Sequence, residues 1–162
     1  TIKDRRFAVL VRLLAEPGAR RSEITLRRWG DFDLAAGTVT AQTTKTGRPR
    51  VMTFSDATAA LIVRVWPKRN AVDMPFESKR APGAPVNFKK HWERITKEVG
   101  RPDLRMHDLR HHRAKQMIKS GAPVSVAAQA LGHSSLILHR RYGHLESEAI
   151  HAVVRQSWGQ QL

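Results

Sequence analysis

The stretch MHDLRHHRAKQMIKSGAPVSVAAQALGHSSLILHRRYGHL, from Met106 to Leu145, restricts this chain more than any other. Its apolar residues recur at helical spacing, and glycine and proline break them at short intervals. Ala114, Met117 and Ile118 give a first helix its buried face, which ends at Gly121. Pro123 opens a second helix in the favoured first-turn position, Val126, Ala127 and Ala130 bury it, and Gly132 closes it. Ser134 or Ser135 then caps a short helix that carries Tyr142. The C-terminal half must therefore be a run of short helices with tight connections.

The residues before it predict a mixed unit. Phe7, Leu10, Val11 and Leu14 lie at helical spacing, widened by Val9 and Leu13, so a largely buried helix ends before Pro17-Gly18. In GARRSEITLRRW, Ser22 and Glu23 favour a helix start, which leaves Arg20 at the preceding turn. Asp31 to Leu34, Thr38 to Thr43 and Arg50 to Phe54 read as three short strands in an antiparallel meander, with Lys45 near the tip of the second hairpin. Ser55 and Asp56 cap a helix whose face is Leu61, Ile62, Val65 and Trp66. Pro67 to Pro85 reads as a long surface loop, and Val86 to Val99 as a helix packed through Phe88, Trp92, Ile95 and Val99. A last segment from Glu146 aligns Ile150, Val153, Val154 and Trp158 on one stripe. The fold class is α+β, mainly helical, with a small three-stranded antiparallel sheet.

With 162 residues the chain is read as one domain spanning 1–162. Lys plus Arg outnumber Asp plus Glu 29 to 14, a formal net charge of +15 spread along the sequence, which points to a polyanionic partner. The absence of cysteine excludes disulfides, thiolate chemistry and Cys-ligated zinc. No apolar run is long enough to span a membrane and the N-terminal residues lack a cleavage pattern, so a soluble intracellular protein is expected.

Tyr142 is the only tyrosine, and His107, Arg110 and His133 precede it. A potential oxygen nucleophile, two imidazoles and a guanidinium are the parts of a phosphoryl-transfer site. Two other readings compete. His107 and His111 in HDLRH mimic a zinc-protease spacing, but Arg110 sits between them, no third ligand is evident and the chain's charge opposes a cation. VSVAAQALGHSSLILHRRY has the small residues, Gly turn and basic second helix of a helix-turn-helix DNA reader, which accounts for the charge but leaves Arg20, Lys45 and His107 unused. Taken singly, Arg20 is a surface arginine and Lys45 protects a sheet edge.

Five segments in order resemble the tyrosine recombinase, or phage integrase, family. GARRSE is similar to that family's first-arginine motif and TTKTGRPRVMTF to its lysine-bearing turn, while HDLRH, LGHSS and RRYGHL resemble its three C-terminal boxes. Supporting similarity in LRRWGDFDL and PVNFKKHW extends the resemblance over nearly the whole chain. It implies the DNA breaking-rejoining catalytic fold and a site of Arg20, Lys45, His107, Arg110, His133 and Tyr142. It also implies that complete members carry an N-terminal core-binding domain, for which this sequence shows no counterpart.

The implied reaction is attack of the tyrosine on a DNA phosphodiester, giving a 3′-phosphotyrosine and a free 5′-hydroxyl, then rejoining through a Holliday intermediate. Neither metal nor cofactor is expected. Arg20 and Arg110 would clamp the charge that builds on the phosphate oxygens, and His133 would add a hydrogen bond. Tyrosine, with a reference pKa of about 10, needs help to lose its proton, and His107 is the nearest family analogue of a base. Lys45 is expected to protonate the departing 5′-oxygen. The implied partners are double-stranded DNA, further copies in a homo-tetramer docked through the C-terminal stripe, and accessory DNA-bending proteins. The implied setting is the nucleoid of a prokaryote or a phage-infected cell.

Overall fold

The structure is a computed structural model that describes residues 4–42, 49–132, 138–145, 147, 151 and 154–155. Its elements run α1 (Arg5–Ala15), α2 (Arg21–Thr25), a 3-10 turn (Trp29–Asp31), β1 (Phe32–Asp33), β2 (Thr38–Ala41), β3 (Arg50–Thr53), α3 (Asp56–Val65), β4 (Glu77–Ser78), β5 (Ala81–Pro85), α4 (Lys89–Glu98), α5 (Met106–Lys119) and α6 (Val124–Leu131). Residues 138–145 are also helical. Contacts group residues 1–110 and 111–162 into two compact units, so α5 begins in the first and continues in the second.

In the first unit, Asp4 caps α1 by accepting from the backbone of Arg6 and Phe7 at 2.9 and 3.2 Å. The helix buries Phe7, Val9, Leu10, Leu13 and Leu14, the face expected from spacing. Ser55 caps α3 as predicted. Glu16, at the end of α1, accepts from the Ser55 backbone at 2.8 Å and from the Thr58 hydroxyl at 2.6 Å, fastening α3 to α1. The three strands form the expected meander, order β1-β2-β3, with Val39 opposite Met52 and both buried. Gly37 turns between β1 and β2 in the left-handed region at φ +63, where an added Cβ would lie 2.7 Å from the Phe54 carbonyl oxygen.

The expected surface loop from Pro67 to Pro85 is a correction. It holds an antiparallel pair, β4 with β5, and delivers Phe76 to the core with no exposed surface. Phe76 meets Trp66 edge-on at 5.6 Å and Phe88 at 6.2 Å, and Phe88 stacks on Phe7 at 5.3 Å. Pro and Gly density marked the turns correctly, but one aromatic is enough to anchor such a segment. Val99, assigned to the packed face of α4, is exposed because it is the C-cap, where the helical direction is lost.

The second unit buries Ala114, Ile118, Val124, Ala127, Ala128, Leu131, Leu138 and Tyr142. On α6 the inward face is therefore Val124, Ala127, Ala128 and Leu131, the i, i+3, i+4, i+7 set, while Val126 and Ala130 are exposed, contrary to expectation. Pro123 is the N-cap of α6, one position earlier than expected, and Gly132 ends it at φ 62. The expected Ser134 or Ser135 cap, Lys45 and His133 lie outside the described residues, as does the C-terminal stripe except Val154. Among the described residues no helix is long and apolar enough to cross a membrane.

If the 67–85 segment is a core element, Phe76→Ala should destabilise the fold by about 3–5 kcal/mol, the cost of emptying a buried aromatic site. Chemical denaturation would measure it, and a near-neutral result would return the segment to the status of a surface loop.

Candidate functional site

Arg20, Glu23, Arg50 and Arg110 assemble in the first unit. Arg20 is the N-cap of α2, and its backbone N–H donates to Glu23 Oε2 at 2.7 Å, tying the first turn closed. The Arg20 side chain also donates, through Nη1, to Glu23 Oε1 at 2.7 Å. Arg50, first residue of β3, donates from Nη1 to Glu23 Oε2 at 2.7 Å and from Nη2 to the Pro17 carbonyl at 3.2 Å. Arg110 Nη1 lies 3.7 Å from Glu23 Oε2 and donates to the Gly18 carbonyl at 2.7 Å. Gly18 sits at φ 63, so the turn after α1 takes a path that presents its carbonyl to this side chain.

Three guanidiniums thus outnumber the carboxylate they share, and their exposure differs. Arg110 is 1% exposed, whereas 31% of the Arg20 side chain is open to solvent. Burial, then the charges of Arg20 and Arg50, push the Arg110 pKa down to about 9, so it stays charged at neutral pH but in an environment already too positive. Burial likewise lowers Arg50. Burial raises the Glu23 carboxyl, but the Arg20 backbone, the Arg50 charge and the Arg20 side chain outweigh it and hold the net pKa below the ordinary range. An anion arriving on the Arg20 side would relieve the excess positive charge.

His107, the second residue of α5, borders a cleft lined also by Arg21, Trp92, Leu104, Arg105 and Met106. Burial and then the Arg110 charge lower its pKa, so the imidazole is neutral at pH 7. The charges of Arg110 and Arg20 both act on His107.

In the second unit Tyr142, on helical residues 138–145, is 4% exposed and packs with Ala114, Ile118, Leu131 and Leu138. Its hydroxyl lies 3.0 Å from His111 Nδ1. Arg141 Nη1 is 3.4 Å from Nδ1 and 3.3 Å from Nε2 of the same imidazole, against the ring rather than on one nitrogen. Burial raises the Tyr142 pKa and outweighs the lowering effect of Arg141, so the phenol is neutral at rest.

Four of these residues escaped the sequence reading. Glu23 was read only as a helix starter, although a lone acid three residues beyond Arg20 in a basic run was a usable signal. Arg50 was counted as a strand residue. His111 was absorbed into the metal reading, and nothing distinguished Arg141 from other basic residues. Among the described residues no three His, Asp or Glu side chains are grouped to hold a metal ion.

Glu23→Gln should cost about 3–5 kcal/mol, because it leaves buried guanidiniums without their counter-charge. The lowered Glu23 pKa makes the wild-type stabilisation complete above the unfolded carboxylate range, about 4.3, and lost as pH falls through the lower folded value. Denaturation midpoints measured across acid pH should therefore fall more steeply for wild type than for Glu23→Gln, and parallel curves would show that Glu23 is not the shared counter-ion.

The sequence model of the phage integrase family matches residues 2–149. Among curated proteins, the chain is 31% identical over 137 residues to tyrosine recombinase XerA of Saccharolobus solfataricus, covering 85% of this chain and 45% of that protein. It is 30% identical over 162 residues to tyrosine recombinase XerD of Corynebacterium glutamicum, covering 94% and 52%. The chain thus spans about half the length of the curated relatives it matches. Its fold is similar to the crystal structure of XerA recombinase, with a TM-score of 0.72 and 22% identity over 95% of this chain and 59% of that one. It is also similar to the catalytic domain of bacteriophage HP1 integrase, with a TM-score of 0.69 and 19% identity over 96% and 84%. With its family match over most of its length and a fold shared with recombinase catalytic domains, this chain belongs to the phage integrase family of tyrosine recombinases.

Proposed function

We propose that this chain is the catalytic domain of a site-specific DNA recombinase or integrase. Tyr142 attacks a DNA phosphodiester, forms a 3′-phosphotyrosyl bond and releases a 5′-hydroxyl, and a second strand's 5′-hydroxyl then reverses the step. The single observation that carries this reading is the cationic cluster of Arg20, Arg50 and Arg110 around Glu23. Among the described residues its three guanidiniums share one carboxylate, and the Arg20 side chain is partly open to solvent.

The roles follow from the chemistry. Arg20 and Arg110 bind the non-bridging oxygens, where charge accumulates as the tyrosine attacks, and fixed guanidiniums need no reorganisation to meet it. Glu23 and Arg50 hold that clamp in place. His107, kept neutral, can share a proton at the phosphate. Lys45 protonates the 5′-leaving oxygen and His133 adds a hydrogen bond to the phosphate. Because the phosphodiester energy stays in the phosphotyrosyl bond, rejoining consumes no nucleotide, and the arginines take the charge-stabilising part a metal has elsewhere.

Double-stranded DNA is the substrate, in keeping with a net charge of +15. Relatives of this fold have been solved on DNA, among them XerH site-specific recombinase bound to difH and the Tn1549 transposon integrase with circular intermediate DNA. The full reaction would bring four copies together through their C-terminal segments, with DNA-bending proteins assisting, in the nucleoid of a prokaryotic or phage-infected cell. The helix-turn-helix regulator reading is not favoured, since the family match spans residues 2–149, far more than the segment that suggested it.

Covalent trapping on a nicked suicide duplex carrying the attachment site tests the proposal. Wild type should yield a protein–DNA adduct on a denaturing gel, undiminished by a metal chelator, and Tyr142→Phe should yield none while binding the duplex normally. Tight binding without an adduct would replace the enzyme with a DNA-binding regulator, and loss of the adduct on chelation would bring a metal into the reaction.

A further inference from the structure

Resemblance offers His107 as the tyrosine's base; within the second unit the Tyr142 hydroxyl has a second imidazole beside it. His111 Nδ1 stands 3.0 Å from the phenolic oxygen, within hydrogen-bonding distance. We propose that His111 is a catalytic residue of this protein, accepting the Tyr142 proton at Nδ1 as the tyrosine attacks phosphorus, which leaves His107 to the phosphate itself. The inference rests on the cleavage reaction proposed above.

The surroundings suit the task. With its own hydrogen on Nε2, the neutral imidazole presents the Nδ1 lone pair to the phenol. The Arg141 guanidinium lies beside the same ring and works against burial to lower the Tyr142 pKa, so it favours the phenolate that forms when the proton leaves. None of the helical segments of this unit described here brings an acid to oppose that charge. Residues 111–119 read HHRAKQMIK, α6 reads VSVAAQAL and residues 138–145 read LHRRYGHL, so the other titratable groups are basic. His112, His139 and His144 are the remaining imidazoles on them.

The step balances. The Tyr142 O–H bond breaks and its proton passes to Nδ1, giving an imidazolium. The oxygen's electron pair forms the O–P bond as the P–O5′ bond breaks, and the 5′-oxygen takes a proton from Lys45. In rejoining, the imidazolium returns its proton to the departing phenolate.

Because Tyr142 is the only tyrosine, its ionisation can be read without interference, by phenolate absorbance or by NMR of a labelled ring. Two variants probe the partner. His111→Asn keeps an acceptor near the Nδ1 position but cannot carry the proton, and His111→Ala leaves room for added imidazole. Both should keep the wild-type far-UV spectrum and DNA affinity. Adduct formation on the nicked duplex should slow about 10²- to 10⁴-fold, the usual contribution of general-base catalysis, and imidazole should partly rescue His111→Ala. Tyr142 should titrate differently in both variants than in wild type. Cleavage at the wild-type rate by His111→Asn, or an unchanged Tyr142 titration in both variants, would overturn the role of His111 and leave the recombinase reading standing. Failure of wild type itself to form an adduct would overturn both.

Discussion

The buried carboxylate of Glu23 is the interaction on which the rest of the first unit depends. It accepts from Arg20 and Arg50 at 2.7 Å and lies 3.7 Å from Arg110, joining α2, β3 and α5, which are far apart in sequence. Gathering three guanidiniums without a counter-charge would be prohibitive in a poorly solvated site. Among the described residues one carboxylate serves all three, so the same arrangement stabilises the fold and favours an arriving anion. Burial first, and then the neighbouring guanidiniums, lower the pKa values of Arg50 and Arg110.

The same unit carries a large apolar core. A chain of rings runs from Trp29 to Trp66 at 5.2 Å, on to Phe76, Phe88 and Phe7, and so links the 3-10 turn, α3, the β4-β5 hairpin, α4 and α1. These rings bury large areas at little conformational cost. Glu16 reinforces the α1–α3 part of that frame through polar contacts. In the second unit the equivalent frame is made of small and branched residues, and a tyrosine completes it.

Much of this was legible from local rules. The helix start at Ser55, the stops at Gly121 and Gly132, and the three-stranded meander are short-range effects, and sequence reports those well. Phe76 was not legible, because what anchors a Pro- and Gly-rich segment is a cavity assembled by distant elements. The face of α6 was misplaced by choosing Val126 over Val124, a difference of a fraction of a turn that only the neighbouring helices decide. At the candidate site, Arg20, His107, Arg110 and Tyr142 were proposed through resemblance. Glu23, Arg50, His111 and Arg141 were not, since an ion pair or a hydrogen bond between residues some thirty positions apart has no local signature.

Two of the arginines are held by main chain as well as by side chain. Pro17 and Gly18 offer their carbonyls to Arg50 and Arg110, so the turn between α1 and α2 acts as a template whose information lies in its path. Side chains bordering such a turn can drift as long as the peptide units keep their orientation. A change of length cannot be absorbed in the same way, since one residue more or fewer would swing both carbonyls off their partners together. In this region the length of the turn is constrained, and so is the glycine whose φ of 63 sets its path.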